Sequence, residues 1–412
     1  LLKTVWDQMI HLVIRFEGHV DDTIMDLAVR EALFAEPLTG MKFTPGETPF
    51  FEPACPDSEM PAWARIRTGD LDRTLEDLLA APLDPLRGPM VRIRLLRSDD
   101  DLLCISFNHT ITDAYGVKSF GSLIARLYRS GKCEGDYLPV GNSHDRSFKG
   151  IFSLISAAER KEASGRLGKW QGAWNIPFKS FGTGKRAYAT EIIEEELFSR
   201  IRQYARIHEI TVNDLILSSY VLALAESTHA PAGTCNPVLT SIDLRRYLSP
   251  DIYPSLANLS VAFELPVQIL RQPALPGTVR QIHDLMYDYK SGHAGIGAAT
   301  LLCRELDSGF RRVEKELAEM EEKTRNGLLG KNPFFTNLGV IPEGVTEFGV
   351  PVRAAWMLGP VEYPPGFGLA ACTFRGRLTL SAGFSGEALE KEWVISLLSS
   401  VAQNLSQVIS RV

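Results

Sequence analysis

An α/β fold built as two successive halves is what this sequence predicts, and three observations predict it. The chain has 412 residues, long for one hydrophobic core and a natural length for two. Short apolar runs of strand length alternate with longer segments whose apolar residues recur at helical spacing. That series runs through twice, on either side of a stretch from Gly131 to Lys185 where periodicity weakens and Gly, Pro, Ser and Lys become frequent. The junction is placed at Pro177 to Arg186, which makes residues 1–177 and 178–412 the two units.

In the first unit, Leu12 to Phe16 is an extended run, and Asp21 or Asp22 can cap a helix through Leu33. Gly40 to Pro53, rich in Gly and Pro, reads as loop. Gly88 to Leu96 and Leu102 to Phe107 read as strands. Tyr115 to Tyr128 reads as a helix with Val117, Phe120, Ile124, Leu127 and Tyr128 on one face. An amphipathic patch spans Phe152 to Ala158, and Trp170 and Trp174 read as interface packing.

The second unit opens with a strand from Tyr188 to Glu196, then helices over Phe198 to His208 and Val212 to Glu226. Strands follow at Pro237 to Ile242 and Leu259 to Leu265. In the latter, Leu259, Val261, Phe263 and Leu265 alternate with Asn258, Ser260, Ala262 and Glu264, the period of a half-buried strand. Phe310 to Lys323 is a charge-laced helix with a solvated face. Gly368 to Phe374 and Leu378 to Phe384 flank Arg375-Gly376 as a hairpin. The last helix runs from Glu390 to Ser410.

Composition removes several function classes. Hydrophobic residues make up 45% and charged residues 23%, with a net charge of -6, so no basic field invites nucleic acid. No apolar run is long enough to span a bilayer, and no basic-then-apolar leader opens the chain. The first residue is Leu1 rather than methionine, so a short leading segment is expected before it. Cys55, Cys104, Cys133, Cys235, Cys303 and Cys372 are scattered without CxxC pairing, which argues against a zinc site and a disulfide framework. A cytoplasmic location is the expectation.

One run carries chemistry: Phe107-Asn108-His109-Thr110-Ile111-Thr112-Asp113-Ala114, at a strand's mouth and a helix's start. A histidine there can be a general base, because its ordinary pKa lies near neutrality. An aspartate four residues on can cap the helix, orient the histidine, or pair with a distant arginine. His11, His19, His144, His208, His229, His283 and His293 have no motif around them and read as surface or packing residues.

With Pro82-Leu83-Asp84, the run from Gly88 to Leu96, Thr211 to Leu215, Asp243-Leu244-Arg245-Arg246 and Thr336-Asn337-Leu338-Gly339, in that order, the chain resembles the condensation-domain superfamily of CoA- and carrier-dependent acyltransferases. That group includes condensation domains of nonribosomal peptide synthetases, alcohol acetyltransferases and wax ester synthases, with chloramphenicol acetyltransferase more distant. The family motif is His-His-x-x-x-Asp-Gly. Here Asn108 stands for the first histidine and Ala114 for the glycine.

The resemblance implies two chloramphenicol-acetyltransferase-like subdomains set as a V, with a tunnel between them. His109 would be the base midway along it. A pantetheine arm of acyl-CoA or an acyl-carrier protein would enter from one face, and an alcohol or amine from the other. It implies that Asp113 pairs with an arginine, for which Arg245 is the best match. Asn108, Asn337 and Gly339 would line the tunnel. No metal or tightly held cofactor is implied; a carrier would act in trans on a monomer. The rival readings are a silent relative that binds a carrier or acyl ligand as a platform, and an unrelated two-domain binding protein. Acyl length, acceptor and the oxyanion donor stay open.

Overall fold

The computed structural model describes residues 7–54, 61–132, 146–168, 172, 174–248, 256–272, 274–326 and 330–409. In chain order the first half holds β1 (Met9–Phe16), α1 (Asp22–Ala35), β2 (Met41–Thr44), β3 (Phe50–Pro53), β4 (Trp63–Arg67), α2 (Leu71–Ala80), β5 (Val91–Arg97), β6 (Asp101–Asn108), α3 (Ala114–Lys132), the single turn α4 (Lys149–Phe152) and α5 (Ala157–Gly165). Then come β7 (Arg186–Ile193), α6 (Glu195–Ile207), α7 (Val212–Ser227), β8 (Val238–Asp243), β9 (Ser260–Leu265), α8 (Leu275–Ser291), α9 (Ala294–Asp307), α10 (Phe310–Arg325), β10 (Phe334–Val340), β11 (Val352–Leu358), β12 (Gly368–Phe374), β13 (Arg377–Ser385) and α11 (Lys391–Ile409).

The first sheet has the order β11-β1-β6-β5-β4 and the second β7-β13-β12-β10-β8-β9. β1 is apolar at nearly every position because both of its faces are covered. Ile10, Leu12, Ile14 and Phe16 pack with residues of α1 and α3, while Val13 on the opposite face meets Leu71, Leu75 and Leu79 of α2. The helices start where side chains can satisfy their first amides. Asp21 Oδ1 accepts from the amides of Thr23 and Ile24 at 2.9 Å each, a cap worth about 1 kcal/mol. Thr211 and Asp214 form a reciprocal capping box at α7. In the second sheet, β12 and β13 turn through Arg375 at φ 43° and Gly376 at φ 76°, the paired left-handed conformation of a two-residue hairpin.

One strand crosses the division between the halves. β11 pairs antiparallel with β1, Val13 facing Trp356, and so completes the first sheet from late in the chain. Leu338, Ile341, Phe348, Cys372 and Phe374 also join the first half's core.

Several segments depart from the sequence expectation. Gly40 to Pro53 is not loop: β2 and β3 pair antiparallel with Phe43 opposite Phe51, whose rings meet edge to face at 5.7 Å. The flanking Gly and Pro mark the turn and ends of that ribbon. β4 with α2, α9, and β11 have no counterpart in the periodicity reading. Trp170 and His144 lie outside the described residues; Trp174 donates from Nε1 to the Pro237 carbonyl at 2.7 Å. Among the described residues no single helix is long and apolar enough to cross a membrane, and the bent pair α6–α7 is the nearest approach.

Candidate active site

β6 delivers the motif, and each of its residues is held by a different contact. The His109 amide donates to the Gln8 carbonyl at 2.6 Å. Asn108 is fully buried; its Oδ1 accepts from the Thr110 amide at 3.1 Å and the Thr110 hydroxyl at 2.6 Å, shaping the turn out of the strand. Asp113 then opens α3: its Oδ1 accepts from the Gly116 amide at 3.2 Å.

The other Asp113 oxygen faces the second half. Oδ2 accepts from Arg245 Nη1 at 2.7 Å and from the Leu259 amide at 2.8 Å. Arg245, itself 2% exposed, also reaches Asp243 Oδ1 at 3.1 Å and the Ala257 carbonyl at 2.8 Å. Its guanidinium lies 4.5 Å from the Tyr115 ring centre. The carboxylate is therefore taken up by the arginine, an incoming strand and a helix start.

Three consecutive residues of the second half hold the motif. Ala257 takes Arg245, Leu259 takes Asp113, and Asn258 between them takes the histidine. Asn258 Nδ2 lies 2.9 Å from the His109 carbonyl oxygen and 3.1 Å from Nδ1. Its Oδ1 accepts from the Ser260 amide at 3.3 Å, which fixes which way the amide points.

The imidazole is half-buried, and burial pushes its pKa below the usual 6.5. The Asp113 charge and a bond to its own backbone carbonyl push the other way without prevailing. Neutral imidazole is thus the resting form near pH 7.

His109 lines a cavity of about 370 Å³ whose other walls come mostly from the second half: Ser241, Asn258, Ala298, Phe334, Thr336 and Gly383 among them. A larger cavity of about 820 Å³, between α6, α7, α8 and α11, is lined by none of the motif residues. Asn337 and Gly339 do not line the His109 cavity. Side chains alternate along β10, so Phe334, Thr336 and Leu338 face it instead. Asn337 bonds outward to Asn213 at 3.3 Å. A bulge separates it from Gly339, whose φ is 79°. Asn108 is likewise buried beneath the motif rather than part of the wall.

Two residues were not singled out in the sequence. Asn258 is one; its only signal was its place on the polar side of an alternating strand, and that side is turned to the cavity rather than to solvent. Lys118 is the other. Its Nζ donates to the Leu338 carbonyl at 2.6 Å and the Val340 carbonyl at 3.2 Å, tying α3 to β10, and burial lowers its pKa. Among the described residues no group of His, Cys, Asp and Glu could hold a metal ion.

No protein-family description and no curated protein sequence matches the chain. Solved structures do match in three dimensions. The first condensation domain of the CDA synthetase superposes with a TM-score of 0.70 at 14% identity, covering 98% of this chain and 91% of its own. The epimerization domain from the third module of tyrocidine synthetase B gives 0.65 at 14%, covering 99% and 92%. The trichothecene 15-O-acetyltransferase of Fusarium sporotrichioides gives 0.67 at 14%, covering 98% and 92%. Over almost its whole length, the chain shares the fold of these condensation, epimerization and acetyltransferase structures.

Proposed function

We propose that the protein is an acyltransferase that moves an acyl group from a thioester, on CoA or on carrier-bound phosphopantetheine, to a hydroxyl or amine. The observation that carries this reading is a largely neutral imidazole, His109, lining a cavity that the two halves share. With a proton on Nδ1 directed to its own carbonyl, the ring turns the Nε2 lone pair to the cavity. No protein group among the described residues bonds Nε2.

In the step proposed, His109 Nε2 takes the proton of the acceptor O–H or N–H as that atom attacks the thioester carbonyl. The tetrahedral oxyanion collapses, the carbon–sulfur bond breaks, and the same proton passes to the departing thiolate. Thioester and acceptor must be held together, the larger part of the rate gain in such a reaction. The reading requires the cavity to open on two faces, so that a pantetheine arm and an acceptor reach His109 from opposite sides. A carrier protein would dock in trans, and the chain would work as a monomer.

The test is thiol release from a panel of acyl-CoAs and acyl-pantetheines with alcohol and amine acceptors. His109→Ala is expected to keep its melting temperature and lose roughly 10²–10⁴ in turnover. Unchanged turnover in that variant sinks the general-base role, and no release with any pair leaves the silent platform as the better account.

A further inference from the structure

We propose that the His109 cavity continues along α9 as a hydrocarbon subsite for the acyl chain of the donor, an inference that rests on the acyltransferase reading above. Ala298 and Leu302 both line the cavity. One turn further, at the same helical spacing, is Leu306, with Leu301 beside Leu302. Leu301, Leu302 and Leu306 are 39%, 40% and 55% exposed. Residues four apart share a helix face, so Ala298, Leu302 and Leu306 form one stripe about 12 Å long at 1.5 Å per residue. A lone exposed leucine means little. A leucine stripe that begins inside the cavity of the candidate base is a continuous apolar track.

The first half of α9 is anchored. Ala294 to Ala299 are buried, and a Cβ on Gly297 would stand 2.4 Å from the Ala163 carbonyl oxygen of α5. The helix therefore presses closely on α5 at its start, and in its next turn Leu302 lines the cavity. Val261, Leu239, Phe334 and Leu338 continue the apolar wall on the sheet side. The carboxylate in the wall, Glu362, is 2.7 Å from Lys331 Nζ, so it does not stand as an uncompensated charge against a hydrocarbon.

The occupant is the acyl chain for a geometric reason. The reacting carbonyl must lie against His109, and its carbon skeleton must leave from that point. The same strand end that holds His109 through Asn258 runs on through Ser260, Val261 and Ala262, which line the cavity, toward α9. A chain leaving the carbonyl along this wall meets Ala298, then Leu302, then Leu306. Each methylene that reaches the track is expected to tighten binding about fourfold.

The experiment measures binding rather than turnover, so it stands whether or not the protein is an acyltransferase. S-butyl- and S-dodecyl-pantetheine thioethers are titrated calorimetrically, below micelle formation, into the native chain, His109→Ala and Leu306→Ser. The dodecyl compound is expected to bind at least roughly a hundredfold more tightly than the butyl one to the native chain and to His109→Ala. Leu306→Ser, at an exposed site that leaves the fold intact, is expected to cut that ratio by roughly tenfold. Equal affinity for the two thioethers overturns the subsite, as does a ratio unchanged in Leu306→Ser. A parallel titration with butanol and dodecanol separates the sources: a length preference among the alcohols alone overturns the acyl chain as occupant. Thiol release by His109→Ala at the native rate would overturn the base assignment and leave this binding result untouched.

Discussion

Asn258 and His109 are 149 positions apart in sequence and meet within one hydrogen bond, Nδ2 lying 2.9 Å from the histidine's carbonyl oxygen and 3.1 Å from its Nδ1. With the proton on Nδ1, Asn258 bonds the carbonyl oxygen and so holds the backbone that carries the ring. It belongs to a run in which Ala257, Asn258 and Leu259 each hold a different part of the motif's surroundings.

If that contact positions the ring through its backbone, Asn258→Ala lowers kcat with little change in melting temperature. A loss of roughly 10- to 100-fold is expected, the scale on which small misplacements of a reacting group act. Steady-state kinetics beside a thermal melt checks it; a melt that falls in step with kcat would make the residue structural.

Arg245 and Asp113 form a buried pair, side chains 2% and 4% exposed, at 2.7 Å. Removing Arg245 leaves the Asp113 charge without its ionic partner, which costs about 3–5 kcal/mol, whereas removing Asp113 leaves Arg245 only the more exposed Asp243. Arg245→Ala is therefore expected to unfold at markedly lower urea concentration than the native chain. Asp113→Asn should lose stability along with rate. Loss of rate alone, with the urea midpoint kept, would give Asp113 a catalytic part that its contacts do not support.

The acid limb of activity should follow His109. The base must be neutral, and burial holds its pKa below 6.5. As pH falls, activity is expected to persist through the ordinary histidine range and to fail only below it. A pH profile of kcat/KM in the free enzyme reads this directly. An acid limb centred above 6.5 would contradict it.

A second histidine bears on stability instead. His11 is fully buried in β1, with Nδ1 2.8 Å from Ser106 Oγ and Nε2 3.2 Å from Tyr188 Oη. Burial, then the Arg92 and Arg186 charges, push its pKa to about 3. The unfolded chain takes up a proton near pH 6.5 and the folded chain does not. Stability is therefore fully present above 6.5 and is lost as pH falls toward 3, on the order of 1 kcal/mol per unit. Asp7 works in the opposite sense. Burial raises its pKa to about 6 against the neighbouring Arg186, so its contribution weakens as pH rises from about 4 to 6. The difference between the native chain and His11→Gln isolates the first effect. Urea midpoints at several pH values should show the variant gaining on the native chain below 6.5; parallel curves would mean that His11 charges in place.

What the sequence made legible was mostly local. Arg375-Gly376 between two apolar runs marks a hairpin by short-range chemistry alone. The strand-to-helix passage through His109 is visible for the same reason. The ribbon at Phe43 and Phe51 was hidden because its Gly and Pro neighbours carry the louder signal. The cavity wall on β10 was read one residue out of phase. Thr336 and Leu338 face His109 where Asn337 and Gly339 were expected, and in a strand one position is the difference between two faces. Asn258 was beyond reach because its importance lies in a partner far along the chain. The Arg245–Asp113 contact is equally remote; it was anticipated only through the family resemblance, never from periodicity.

The pairing of β1 with β11 has a consequence for how the molecule comes into being. During synthesis residues 9–16 emerge long before one of their two sheet neighbours, Val352–Leu358, is made. Until then β1 waits as an unprotected edge, a ready template for pairing with another chain. The ribosome thus delivers the His109 motif long before the sheet that frames it is closed. Nascent chains halted before residue 352 should be bound by holding chaperones, and a long delay before that point should favour aggregation over completion of the sheet.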